Sequence, residues 1–189
     1  VTYSVGGVNQ TPPGSELTAT TSFRVDRKIL FSVSEKTATG TTSVTSGQQD
    51  AIVSYTIVNS SNDTLDFSLA ASNTPNTTSV GGGRGSDSID TANFEYAIDL
   101  DGSGTLNGAE AFVSSLTLND VLKDTTVHVL VRSDIPVAAN GSIAVIQLQA
   151  TALNSNGSAI TAVGDGDTNT ADVATGTFQT IFAEDLTPV

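Results

Sequence analysis

Residues 51–71 read AIVSYTIVNSSNDTLDFSLAA. Val53, Tyr55 and Ile57 alternate with Ser54 and Thr56. After the polar turn NSSND (59–63), Leu65, Phe67 and Leu69 alternate with Asp66 and Ser68. A strand packed on one face needs this period of two, because successive side chains point to opposite sides of the pleat. The two runs read as a hairpin with one buried face. The same pattern recurs further along the chain. Val127, Val129 and Val131 form one inward row; Ala144, Ile146, Leu148 and Ala150 form another, opposite Gln147 and Gln149. Segments 16–25 and 28–34 are rich in Thr, Val and Phe and suit strands, and GTFQTIFA (176–183) reads as the last one.

Turn signals separate these runs: TPPGS (11–15), TATGTTS (37–43), SVGGGRGSDS (79–88), AANGS (138–142) and NSNGS (154–158). Helix signals are weak, with room for one short turn within 108–123, near GAEAF or at LNDVLK with Asn119 as its cap. The spacing predicts an all-β chain, a two-sheet sandwich of immunoglobulin-like or jelly-roll type with an extended N-terminal strand. At least about seven strands and less than about a tenth helix are expected. Residues 1–14 form an N-terminal arm, and 15–189 a single β-sandwich domain.

Composition narrows the function classes. Twenty acidic residues against seven basic ones give a net charge of −13, which disfavours nucleic acid and anionic membranes as partners and favours divalent cations. No apolar run is long enough to insert in a membrane as a helix. The chain has no Cys, no Met and no Trp. The missing Met implies a processed or trimmed product, and the missing Cys suits an exported protein.

The strongest motif is DLDGSGTLNGAE, residues 99–110. Calcium takes about six to eight hard oxygen ligands, and a twelve-residue calcium loop supplies them from positions 1, 3, 5, 7, 9 and 12, with glycine at 6 for the sharp turn. Asp99, Asp101 and Ser103 fill the first three positions, Gly104 is the turn glycine, and Thr105 offers its backbone carbonyl. Asn107 stands at position 9 and Glu110 at 12, where both oxygens of a carboxylate can bind. Calcium (Ca2+) is therefore the expected cofactor; the alternative for these residues is a Gly/Asp turn without metal. Phe94, Tyr96 and Ile98 alternate up to the loop, so a strand enters it and no helix pair flanks it. A structural ion is implied rather than a sensor. A second candidate ion site is Asp165, Asp167 and Asp172 in GDGDTNTAD, with a solvated loop as the alternative; Asp87 and Asp90 are weaker candidates.

Catalytic chemistry is sparse. The lone histidine, His128, alternates with Val127 and Val129 and points away from their core face. There is no G-x-S-x-G elbow and no zinc ligand set. Carboxylate pairs leave glycoside hydrolysis open by residue type, but aromatics make up 5%, whereas sugar clefts stack on aromatic faces. No enzyme is expected. Arg24, Arg27 and Lys28 in FRVDRKI read as an outward strand face paired with Asp26 and other acids, or as a positive contact for an acidic neighbouring subunit.

The stretches VTYSVGGVNQT (1–11), TSFRVDRKILFSVSE (21–35), YTIVNSSNDTLDFSLAA (55–71), DLDGSGTLNGAE and TIFAED (180–185) carry a resemblance. The sequence resembles secreted bacterial surface proteins with Tyr-x-Val-Gly-Gly-Val-x-Gln and Ser-Phe-x-Val-Asp-Arg-Lys motifs. These are conserved-repeat, immunoglobulin-like domains, similar in plan to TasA-type fibre proteins and archaeal bundling pili. The resemblance implies an extracellular or cell-surface homopolymer in which an extended segment of one subunit completes the sheet of the next. Thr2, Tyr3, Val5 and Val8 are the candidate assembly contacts, on a terminal strand tethered by GGVNQTPPGS. An ordinary first strand of the chain's own sandwich is the alternative, and the C-terminal strand is a rival donor. Two readings follow. One is a calcium-stabilised subunit of an extracellular filament. The other is a monomeric, calcium-stabilised adhesive or binding module of a larger surface protein.

Overall fold

The computed structural model describes residues 3–10, 27–36, 41–79, 85–154, 156–160 and 175–184. All regular structure among them is β. In chain order the strands are β1 (Tyr3–Val5), β2 (Val8–Gln10), β3 (Phe31–Glu35), β4 (Thr41–Val44), β5 (Ala51–Asn59) and β6 (Leu65–Asn73). They continue with β7 (Ala92–Asp99), β8 (Thr117–Val121), β9 (Thr125–Asp134), β10 (Ile143–Leu153) and β11 (Thr175–Glu184). Segment 28–34 enters its strand only at Phe31, and segment 16–25 lies outside the described residues.

Two sheets face each other, ordered β3-β5-β9-β7 and β4-β11-β10-β6-β8. All neighbours are antiparallel except β4 and β11. Taking β3, β5, β6, β7, β9, β10 and β11 in turn as A to G, one sheet is ABED and the other contains CFG. That is the immunoglobulin order, and it selects between the two sandwich types. The strand β8 is an addition between D and E, paired on the outer side of C. It spans Thr117–Val121 and so takes up part of LNDVLK, one of the two places that left room for a short helical turn. The extended β8 backbone pairs with β6, and its Leu118 and Val121 turn into the core.

The expected 53–57/65–69 hairpin is not formed. Strand β5 pairs with β3 and β9, whereas β6 pairs with β10 and β8 in the opposite sheet. The turn between them crosses the sandwich and is pinned from within. The Asn59 amide, fully buried, donates to the carbonyls of Asp63 (3.0 Å) and Val121 (2.9 Å), and its oxygen accepts from the Ser61 N–H (3.0 Å). The Ser61 hydroxyl accepts from the Leu30 N–H and donates to its carbonyl. Asn59 and Ser61 are the buried residues of an otherwise exposed turn, and buried polar groups must be satisfied, as they are by these bonds.

The core lies between the sheets and holds twelve of the thirteen residues expected to point inward: Val53, Tyr55, Ile57, Leu65, Phe67, Leu69, Val129, Val131, Ala144, Ile146, Leu148 and Ala150. Val127 is half-buried at its margin. Phe31 meets Phe67 edge to face at 4.9 Å, an arrangement favoured by the ring quadrupoles.

The N-terminal strand is shorter than expected. The chain reverses at Gly6 and Gly7, whose φ values of 60° and 79° suit the two-residue hairpin turn. Tyr3 then pairs with Gln10 and Val5 with Val8. This two-stranded sheet joins neither face of the sandwich. Thr2 lies outside the described residues, and only the backbones of Tyr3, Val5 and Val8 are described. No helix among the described residues is long and apolar enough to cross a membrane.

Candidate metal centre

The loop 99–110 begins at the last residue of β7 and lies across the outer face of the β5–β9 pair. Asp99 is in register with His128 on β9, and His128 with Thr56 on β5; the Thr56 hydroxyl meets His128 Nδ1 at 3.1 Å. Gly102 packs on the His128 ring, so closely that a Cβ there would stand 3.1 Å from Cδ2. Gly104, at φ 83°, adopts the left-handed turn the loop pattern demands, over Ser54. His128 therefore points away from the core, as its alternation required, but under the loop rather than into solvent.

The return segment is also held down. Val113 and Tyr96 exchange backbone hydrogen bonds at 2.8 Å, and the Phe112 ring lies 4.4 Å from the Arg132 guanidinium. Arg132 is itself fixed by Glu95 and by Asp50 at 3.1 Å. Leu130 lies between His128 and Arg132 on this outer face and is fully buried, although alternation alone marks it as exposed.

Within the loop the ligating groups converge. Carboxylate oxygens of Asp99, Asp101 and Glu110 lie within 4.8 Å of one another. Asp99 accepts from the N–H groups of Ser103 (3.0 Å) and Gly104 (2.9 Å). Asp101 accepts from Ser103 N–H at 2.9 Å and from the Asn107 amide at 3.0 Å. The Ser103 hydroxyl donates to the Thr105 carbonyl at 3.0 Å and accepts from Asn107 at 3.0 Å. Glu110 closes the ring: Oε1 accepts from Leu100 N–H (2.8 Å) and Oε2 from Asn107 N–H (2.9 Å). Thus Asp99, Asp101, Ser103, Thr105, Asn107 and Glu110 form one connected cluster. Half a turn of the Asn107 amide exchanges its nitrogen for its oxygen. Three carboxylates, a hydroxyl and a carbonyl are all hard oxygens, and this donor set fits calcium.

Lys36 was not foreseen here. Its ammonium lies 3.4 Å from Asp99 Oδ2, and no local pattern joins residues 63 positions apart.

The Asp101 carboxyl is held down to about 2, first by the Ser103 N–H, then by the Asn107 amide and the Ser103 hydroxyl. Its folded pKa lies below its ordinary 3.8, so its hold on the loop is complete above that value and fades as pH falls through about 2. In metal-free protein the Ser103 amide resonance is expected to titrate with a midpoint near 2. A midpoint of roughly 4 would mean that the loop is not preformed.

The other acidic candidates fare differently. Asp165, Asp167 and Asp172 lie outside the described residues. Asp87 is buried, with Oδ2 accepting from the Thr74 hydroxyl at 2.8 Å and Oδ1 from Val145 N–H at 3.1 Å, so it ties its loop to β10. Asp90 is exposed. Arg27 pairs with Asp63 at 2.8 Å, and Arg24 and Asp26 lie outside the described residues.

No family model matches the chain, and no curated protein matches it in sequence. Solved structures are similar only at a distance. A family 123 glycoside hydrolase from Clostridium perfringens matches 84% of the chain at 11% identity and TM-score 0.41; the chain spans 27% of that enzyme. The PapD-like domain 7 of human CEP192 matches 94% at 8% identity and TM-score 0.35, over 99% of that domain. AvmM, which catalyses macrocyclization in alchivemycin A biosynthesis, matches 100% at 12% identity and TM-score 0.37, over 97% of its length. Likeness at this level says nothing of this chain's chemistry.

Proposed function

We propose that the chain is the structural subunit of an extracellular bacterial filament, assembled from identical copies by strand addition and stiffened by calcium. The observation that carries this reading is the pairing of the termini. The rival donor β11 is an interior strand, held by β10 on one side and β4 on the other. Among the described residues, β1 and β2 pair with each other and with no strand of either sandwich sheet. An isolated two-stranded hairpin is marginal in water, and its unpaired edge groups favour addition to another sheet. Calcium in the 99–110 loop would pin the long β7–β8 connection, a structural task suited to a secreted protein.

A second reading has its own support. Ile98, Leu100, Ala109, Ala111, Val113 and Leu116 line a groove of about 290 Å³ beside the loop. An apolar groove of this kind suits a monomeric adhesive or binding module of a larger surface protein.

Negative-stain microscopy of the purified chain at millimolar calcium separates the two. Filaments that shorten or soften in chelator are expected. Monodisperse particles under all conditions would leave the binding module as the better reading.

A further inference from the structure

One basic side chain reaches the loop from the far side of its sheet. Lys36 stands one residue beyond β3, the edge strand opposite β7. Its N–H donates to the Ser54 carbonyl at 2.9 Å, which fixes its backbone beside β5. Its ammonium then lies 3.4 Å from Asp99 Oδ2 and 3.6 Å from where a Cβ on Gly104 would stand. The Lys36 side chain is 23% exposed, whereas that of Asp99 is fully enclosed. A buried carboxylate needs a counter-charge, and the two N–H groups that Asp99 also accepts from carry only partial charge.

We propose that Lys36 is the built-in counter-ion of the loop. It neutralises Asp99 in the metal-free protein, and it sets calcium affinity because it withdraws when the ion enters. This rests on the calcium reading above. An ammonium and a divalent cation cannot share one carboxylate oxygen without strong repulsion. A flexible four-carbon stem lets the ammonium swing into the solvent it already touches, so the repulsion appears as reduced affinity rather than exclusion. Two consequences follow. Without metal, Asp99, Asp101 and Glu110 do not spring the loop open by mutual repulsion. With metal, the loop fills only where calcium is abundant, as in extracellular modules with dissociation constants of about 0.1–1 mM.

The test is calcium calorimetry and thermal melting of the full chain, comparing wild type with Lys36→Met and Lys36→Gln. Lys28→Met, an exposed lysine at the opposite end of β3, controls for net charge. Both Lys36 variants are expected to bind calcium roughly tenfold more tightly. They should also melt lower than wild type in chelator and close to wild type in saturating calcium. The control should match wild type. Affinity that is unchanged, weaker or equally raised in the control overturns the proposal. A variant that folds only when calcium is added supports it; one that fails to fold in either condition overturns it. If wild type and variants alike take up no calcium, the calcium reading falls and this proposal falls with it. If wild type binds calcium and the Lys36 variants do not gain, only the role of Lys36 is lost.

Discussion

Glu110→Gln is expected to weaken calcium binding by about a hundredfold, or about 2.7 kcal/mol, while leaving the sandwich folded. Two effects act together. A carboxylate at loop position 12 offers two charged oxygens; the amide offers one neutral oxygen and turns an NH2 toward the ion. The same carboxylate also closes the empty loop, accepting from Leu100 N–H with one oxygen and Asn107 N–H with the other. Glutamine satisfies one of these donors and leaves the second facing another N–H group. Calorimetry reads the first effect, and the calcium-dependent rise in melting temperature reads its linkage to folding. At a calcium concentration about a hundred times the dissociation constant, wild type gains about 2.7 kcal/mol, which is roughly 5–10 °C for a chain of this size. Glu110→Gln should lose nearly all of that gain at the same concentration. If wild-type protein takes up no calcium at millimolar concentration, the cluster is a hydrogen-bonded turn and not a metal centre.

The second large effect concerns assembly. Deleting residues 1–10 is expected to convert filaments into monomers whose calcium site is intact. The deletion removes β1 and β2, which among the described residues pair with neither sandwich sheet, so the ladders of both sheets are kept. In a filament it would remove the whole joint. Each joint comprises several main-chain hydrogen bonds, each contributing about 0.5–1.5 kcal/mol, and apolar burial at about 25 cal/mol per Å². Head-to-tail addition is a heterologous contact that need not close, so repeating it gives an open fibre. Sedimentation and microscopy of the truncated chain decide the matter. Filaments of unchanged appearance from the truncated chain would place the joint elsewhere, and β11 would then have to leave β4 or β10 to provide it.

The hairpin that does not form shows where local reading stops. Val53, Tyr55 and Ile57 and then Leu65, Phe67 and Leu69 all turn into the core as their alternation required. One-sided alternation is equally required of two strands that lie side by side and of two that face each other across a core. The distinguishing contact is the Asn59 amide reaching Val121, 62 residues away, and nothing within 51–71 encodes that partner. Leu130 makes the same point from the other side. Its position marks it as outward, yet it is fully buried, between His128, which lies under Gly102, and Arg132, which lies against Phe112.

The convergence of Asp99, Asp101, Ser103, Asn107 and Glu110 was legible because its chemistry is local. Ligands drawn from twelve consecutive residues fall on one point whenever the glycine at position 6 allows the turn, and the sequence states both conditions in full. Strand content and the core-facing residues were legible for the same reason, since a period of two acts between next neighbours. Tertiary structure alone decided which strands became neighbours, that the N-terminal segment doubles back on itself, that Asp99 is enclosed, and that Lys36 is the charge that meets it. Each of these depends on groups brought together from distant parts of the chain. Such contacts are selected by the collective burial of a core, which no window of sequence contains.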